Sequence, residues 1–167
     1  MVPMRTPPGP VPSPPRRRPS SYLGVFLAEV GGNLDLQNGT ASDLSGLSGV
    51  KSVGGYLFLV NQAITDLSGL EGLQTVGSNT LIADNAGLSN VAGLDGITAL
   101  NEGLWIQRNA RLTDLSAFHR LTSVGGSLKV TDNPCLSTTE AEALRDAIGT
   151  GNIQGGVTLS GNDGPCE

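Results

Sequence analysis

Val30–Ser52 reads VGGNLDLQNGTASDLSGLSGVKS, and Val53–Thr75, directly after it, reads VGGYLFLVNQAITDLSGLEGLQT. Two further versions follow: VGSNTLIADNAGLSNVAGLDGITA over Val76–Ala99 and LNEGLWIQRNARLTDLSAFHRLTS over Leu100–Ser123. A fifth opens VGGSLKVTDNPCLS at Val124, and IQGGVTLSGN over Ile153–Asn162 matches that opening position by position. Self-similarity at so short a period marks stacked structural units, each unable to bury its apolar side alone. One template covers them all: V-G-G-x-L-x-L/I, one or two residues, Asn, two residues, then L-x-D-L-S-G-L-x-x-L-x-S. The first two units hold 23 residues and the next two 24. On this reading the extra residue falls between the strand and the Asn.

The segment L-x-L/I has period 2 and predicts a short strand in each unit. Its inward pairs are Leu34/Leu36, Leu57/Leu59, Thr80/Ile82, Leu104/Ile106, Leu128/Val130 and Val157/Leu159. Stacked, these strands make a parallel sheet with neighbours ~4.8 Å apart. Leu44, Leu47, Val50 and their equivalents in later units line the other walls. The Gly pair before each strand serves backbone geometry and is no phosphate loop, because no lysine follows it and no helix starts there. Asn38, Asn61, Asn85, Asn109, Asn133 and Asn162 are read as a structural ladder, one at each strand exit, bonding the backbone of their own and the neighbouring turn.

The fold expected is therefore a mainly β, right-handed solenoid with one short parallel strand per coil of roughly 24 residues. Near the C-terminus the pattern changes. Ser137-Thr-Thr-Glu140 has the form of a capping box, Ala141, Leu144, Ala147 and Ile148 follow at helical spacing, and Gly149 can end the helix. Such a helix caps the stack. The domain plan is a Pro/Arg-rich disordered tail over 1–19 and a solenoid over 20–167. Its repeats run at 30–52, 53–75, 76–99, 100–123 and 124–162, with a cap over 135–167.

Composition limits the function. Eight of the ten prolines and four of the ten basic residues lie in residues 1–19, where no acidic residue occurs. Beyond them, six basic residues face fifteen acidic ones. An acidic body argues against nucleic acid, which demands clustered Lys and Arg. No run of 18 apolar residues exists, so no membrane span is expected. Tyr22–Val30 follows a basic triplet and imitates a signal peptide, but it is short, contains Glu29 and lacks a small-residue cleavage site. No signal peptide is read there; Leu27-Ala28-Glu29 instead matches the end of a repeat and predicts a partial coil before Val30.

Cys135 and Cys166 are the only cysteines and fit no metal spacing. Two readings stand: a disulfide closing a C-terminal loop, or two free buried thiols. A bridge implies an oxidising compartment. His119 is the only histidine, so neither a zinc set nor a Ser–His–Asp arrangement is evident, and the recurring Asp43, Asp66 and Asp114 read as turn formers. No cofactor, no metal and no catalysis are expected.

The units that end in DLSGLxxL and restart at VGGxLxL resemble the receptor L domain, a relative of leucine-rich repeats found in the ligand-binding ectodomains of growth-factor receptors. The ending NPCLS…GPC, Asn133–Ser137 and Gly164–Cys166, is similar to that of bacterial secreted or surface proteins with this repeat. The resemblance covers about residues 27–167. It implies an extracellular or cell-surface location and binding of a protein or glycan, while receptor signalling does not carry over.

One column rises above scaffold. The residue between each inward pair faces solvent, giving Asp35, Phe58, Leu81, Trp105, Lys129 and Thr158. Tyr56 lies on the same face, with Gln37, Gln107 and Thr131 nearby and Arg108 and Asp84 at the turns. The expected binding face is Tyr56, Phe58, Leu81, Trp105, Gln107 and Lys129, an apolar patch with a polar rim. The competing reading is that Phe58, Leu81 and Trp105 only pack on one another along the ladder, or are covered by the N-terminal tail. A spacer or surface-layer solenoid without a specific ligand is the alternative function, and the chain is read as a monomer or weakly self-associating.

Overall fold

Alternation of Leu and polar residues forces every second side chain to one face, and the sheet obeys it. In the computed structural model, which describes residues 28–164 and Cys166, six four-residue strands pair in parallel. In chain order they are Leu34–Gln37, Leu57–Val60, Thr80–Ala83, Leu104–Gln107, Leu128–Thr131 and Val157–Ser160. The register sets Leu34 beside Leu57, Thr80, Leu104, Leu128 and Val157 in turn, without a slip. The protein is a β-solenoid. The proposed tail over 1–19, the apolar stretch from Tyr22 and Leu27 lie outside the described residues. The partial coil is visible from Glu29, since Glu29–Val30 pairs with Ser52–Val53.

A second wall comes from the residues that start each repeat. Ser52–Val53 also pairs with Thr75–Val76, and Ala99–Leu100 pairs with Ser123–Val124. Between the walls run columns of aliphatic side chains. Val53, Leu57, Leu59, Ile64, Leu67, Leu70 and Leu73 of the second coil are all shut off from water, and the third and fourth coils carry buried residues at matching positions. Each such side chain contributes about 1.5–3 kcal/mol through burial. Among the described residues Phe118 is the one ring in this interior.

The Gly pairs owe their place to crowding. None of Gly54, Gly55 or Gly125 has a positive φ, but a Cβ on Gly54 would meet the Gly31 carbonyl oxygen at 2.6 Å. The coils approach too closely there for any side chain.

The ladder differs from the one expected. Asn85, Asn109, Asn133 and Asn162 are buried, and each donates its Nδ2 to a carbonyl of the preceding strand: Leu59, Ile82, Ile106 and Val130, at 2.7–3.0 Å. Each Oδ1 accepts the backbone N–H of the ladder residue one coil back, at 2.9–3.3 Å. Asn38 and Asn61, placed in this ladder on sequence grounds, are not part of it. They stand one residue earlier, exposed and left-handed at φ 53 and 51. Their structural equivalents are Asp84, Arg108 and Asp132, also at positive φ. Gln62 takes the ladder position of the second coil, bonding its own Val60 carbonyl at 3.0 Å. The extra residue of the longer units therefore follows the ladder position: two residues separate Asn85 from buried Leu88, but one separates Gln62 from buried Ile64.

The C-terminal helix spans Thr138–Ile148. Ser137 Oγ accepts the Glu140 N–H at 3.0 Å, and Gly149 at φ 82 ends the helix. The Glu140 carboxylate does not return to Ser137; it accepts the Leu115 N–H at 3.3 Å, tying the helix to the fourth coil. Ala141, Leu144 and Ile148 are buried, whereas Ala147 is exposed. Cys135 and Cys166 stand at disulfide distance, with Cα atoms 4.7 Å apart, the placement that the bridged reading requires. The cap is incomplete at the last strand, where Val157 is 38 % exposed and Leu159 half-buried, so the inward pair expected there is only partly enclosed.

Two outcomes follow. Asn109→Ala strips partners from Ile82, Asn85 and Asn133 and should cost about 2–4 kcal/mol, while Asn61→Ala, which loses one exposed bond and puts alanine in a left-handed turn, should cost about 1 kcal/mol, both by urea unfolding. Thr80 Oγ1 is buried without a partner among the described residues, between Leu57 and Leu104. Thr80→Val should raise stability by ~1 kcal/mol, because an unpaired hydroxyl gives way to a methyl group of the same shape.

Candidate functional site

The outward face of the six-stranded sheet carries three rows. The first precedes each strand: Asn33, Tyr56, Asn79, Gly103, Ser127 and Gly156. The second is the column Asp35, Phe58, Leu81, Trp105, Lys129 and Thr158, in register across the pairing. The third is Gln37, Val60, Ala83, Gln107, Thr131 and Ser160. Leu57 and Ile106, beside Phe58 and Trp105 in sequence, are fully buried, so the strand phase directs Phe58 and Trp105 outward.

Outward is not the same as bare. Tyr56, Phe58, Leu81, Trp105, Gln107 and Lys129 are all half-buried. Side chains on strands ~4.8 Å apart must touch. The Tyr56 and Phe58 rings stack with centroids 4.1 Å apart. Tyr56 Oη donates to Asp35 Oδ2 at 3.1 Å, and that bond to the carboxylate raises the phenol above its ordinary pKa. Lys129 Nζ lies 5.1 Å from the centre of the Trp105 ring, in cation–π contact. The Trp105 Nε1 is buried and has no partner among the described residues.

Gly103 explains the pose of Trp105. A Cβ there would come within 2.7 Å of Nε1 and 3.1 Å of the Ser127 carbonyl oxygen. The indole lies over a gap that only glycine leaves. Sequence reasoning missed this residue; the signal was LNEGLWI, where the position before the strand holds Gly and the outward position holds Trp. Thr131 and Ala83, by contrast, are buried, so Thr131 adds nothing to the rim.

At the strand exits Arg108 forms a two-pronged pair with Asp84, at 2.7 and 2.8 Å. The guanidinium holds the Asp84 carboxyl below its usual value, and that carboxylate raises Arg108 in turn. With side chains 53 % and 39 % exposed, the pair is worth ~1 kcal/mol at most. The Asp column acts in turns: Asp43, Asp66 and Asp114 accept the Ser45, Ser68 and Ser116 N–H groups at 2.7–3.0 Å, and Asn90 does the same for Ala92. Hydrogen bonds from Ser45 and Ser68 lower the Asp43 and Asp66 carboxyls, which suits a fixed turn rather than proton transfer.

A second feature escaped the sequence. An apolar groove of about 150 Å³ runs between Ser116–Arg120 and the helix, lined by Leu115, Phe118, Ala143, Leu144 and Ala147 with His119 and Glu140 at its rim. His119 Nδ1 lies 3.2 Å from the Ser116 carbonyl oxygen. No group of three His, Cys, Asp or Glu among the described residues is placed to hold a metal ion, and no described helix is long and apolar enough to cross a membrane.

Gly103→Ala should displace the indole, shift the emission of Trp105, the sole tryptophan, to longer wavelength, and destabilise by about 1–3 kcal/mol through overpacking. An unchanged spectrum would show that the ring does not rest there. Comparison of the chain with protein-family models, with curated proteins and with solved structures gives no match.

Proposed function

We propose that this chain is a non-catalytic recognition module of the extracytoplasmic space, which binds a protein or a glycan through the outer face of its parallel sheet. One observation carries the reading: Phe58, Leu81 and Trp105 form a continuous, partly exposed row, with Tyr56 stacked beside Phe58, on a sheet whose strands are pinned on both sides. Aromatic side chains in a rigid frame lose little entropy on binding and anchor interfaces well. Asp35 and Lys129 bracket the row with opposite charges, which gives a partner a direction. The Cys135–Cys166 pair supports an oxidising location, and the repeat's resemblance to receptor L domains fits both. That kinship, like the ligand, is proposed on these grounds alone.

A second reading has its own observation. Val157 is the one exposed large hydrophobic among the described residues, and it lies on the last strand of the sheet. An open strand edge with an exposed valine favours a self-associating structural solenoid.

Trp105 reports on its own site. Titrating the chain with panels of oligosaccharides and peptides should perturb its fluorescence for one class. Phe58→Ser, which keeps the reporter and leaves Leu57 and Leu59 in the core, should weaken that binding by roughly 30-fold or more, as expected of a central anchor worth about 2 kcal/mol. If no ligand perturbs Trp105, and sedimentation shows association abolished by Val157→Asp, the structural reading replaces the first.

A further inference from the structure

The displacement of Asn38 from the ladder puts its side chain where chemistry can reach it. Asn38, Gly39 and Thr40 are all exposed, at the turn where the first strand leaves the sheet. Asn38 is left-handed at φ 53, and its Oδ1 accepts the Asn61 Nδ2–H at 3.1 Å. That bond occupies the carbonyl end of the amide and leaves its Nδ2 with no acceptor among the described residues.

Asn38-Gly39-Thr40 is also the one Asn-x-Ser/Thr triplet in the sequence, and its middle residue is not proline. The two conditions meet nowhere else. Asn61 occupies the same turn one coil on, but Ala63 follows it at the second position. The ladder residues Asn85, Asn109, Asn133 and Asn162 are buried, with their side-chain amides hydrogen-bonded to strand carbonyls. Asn33 and Asn79 are followed at that position by Asp35 and Leu81.

We propose that Asn38 is an acceptor for N-linked glycosylation. The proposal rests on the extracytoplasmic reading above, since the modification belongs to secreted and surface chains. The donor class is a lipid-linked glycosyl diphosphate. A bond forms between Asn38 Nδ2 and the anomeric carbon of the first sugar, and the bond from that carbon to the diphosphate oxygen breaks. The diphosphate leaves with the electron pair, and the amide gives up one proton to a base of the transferase. Nothing is oxidised or reduced. The product amide keeps its Oδ1 for Asn61, so the turn holds its geometry while the sugar extends into solvent.

The test uses the full chain recovered from its own source, with intact mass recorded before and after peptide N-glycosidase and free thiols counted on the same sample. The expected result is a mass excess that the glycosidase removes, converting Asn38 to Asp. Asn38→Gln and Thr40→Ala should each abolish the excess, Thr40→Ala without moving the unfolding midpoint, and Asn61→Gln should leave it intact. Retention of the excess in Thr40→Ala would refute recognition of the triplet. A bare Asn38 in a chain whose Cys135 and Cys166 are bridged overturns the glycosylation alone. A bare Asn38 with both thiols free overturns it together with the extracytoplasmic reading.

Discussion

From the second coil on, the backbone must turn away from the sheet against a closed apolar wall, and the buried polar groups of that turn have no water to bind. An unpaired backbone group buried in this way costs about 1–3 kcal/mol, and the cost recurs at each strand exit. The buried asparagines meet it. One amide donates to the carbonyl of the preceding strand and accepts the N–H of the previous ladder residue, so each Asn serves two coils at once. The column links Gln62 to Asn162 as a chain of bonds parallel to the stacking direction. Strand register, aliphatic columns and the close approach of the Gly pairs all presuppose that the exits superpose.

That regularity has a consequence for the outer face. Strands held in register bring equivalent side chains within contact of one another, so an aromatic row on a solenoid sheet is never a set of free-standing rings. Phe58 leans on Tyr56, Trp105 lies over Gly103, and Lys129 sits against the indole. Packing along the row and readiness to bind are therefore two aspects of one arrangement. The same contacts that shield the rings fix their orientation, and a partner then meets a surface that has already lost its side-chain entropy. The charges at the ends of the row, Asp35 and Lys129, keep it from being a uniform apolar stripe.

The C-terminal end of the stack is built differently from the coils before it. At the C-terminal side the repeat gives way to a helix, which supplies Ala141, Leu144 and Ile148 to the interior and reaches back to Leu115 through Glu140. The cysteine pair ties the start of this cap to the last residues of the chain. The closure is strongest over the fourth coil, where Phe118 is sealed, and weakest at the final strand, where Val157 stays wet.

The repeat made the solenoid, the inward pairs, the helix and the outward column legible from residues alone, because period 2 in a strand and period 3.6 in a helix are local properties. Gln62, Asn38 and Asn61 show where that stops. VNQ and DNA each place an Asn after a strand, yet a shift of one residue separates a buried ladder from an exposed turn, and only the pairing of neighbouring coils decides which Asn faces in. The half-burial of Phe58 and Trp105 and the groove beside His119 likewise depend on which coils and helix come together in space. Spacing along the chain determined what alternates; the contacts between coils determined what is covered, since burial is a property of neighbours and not of sequence position.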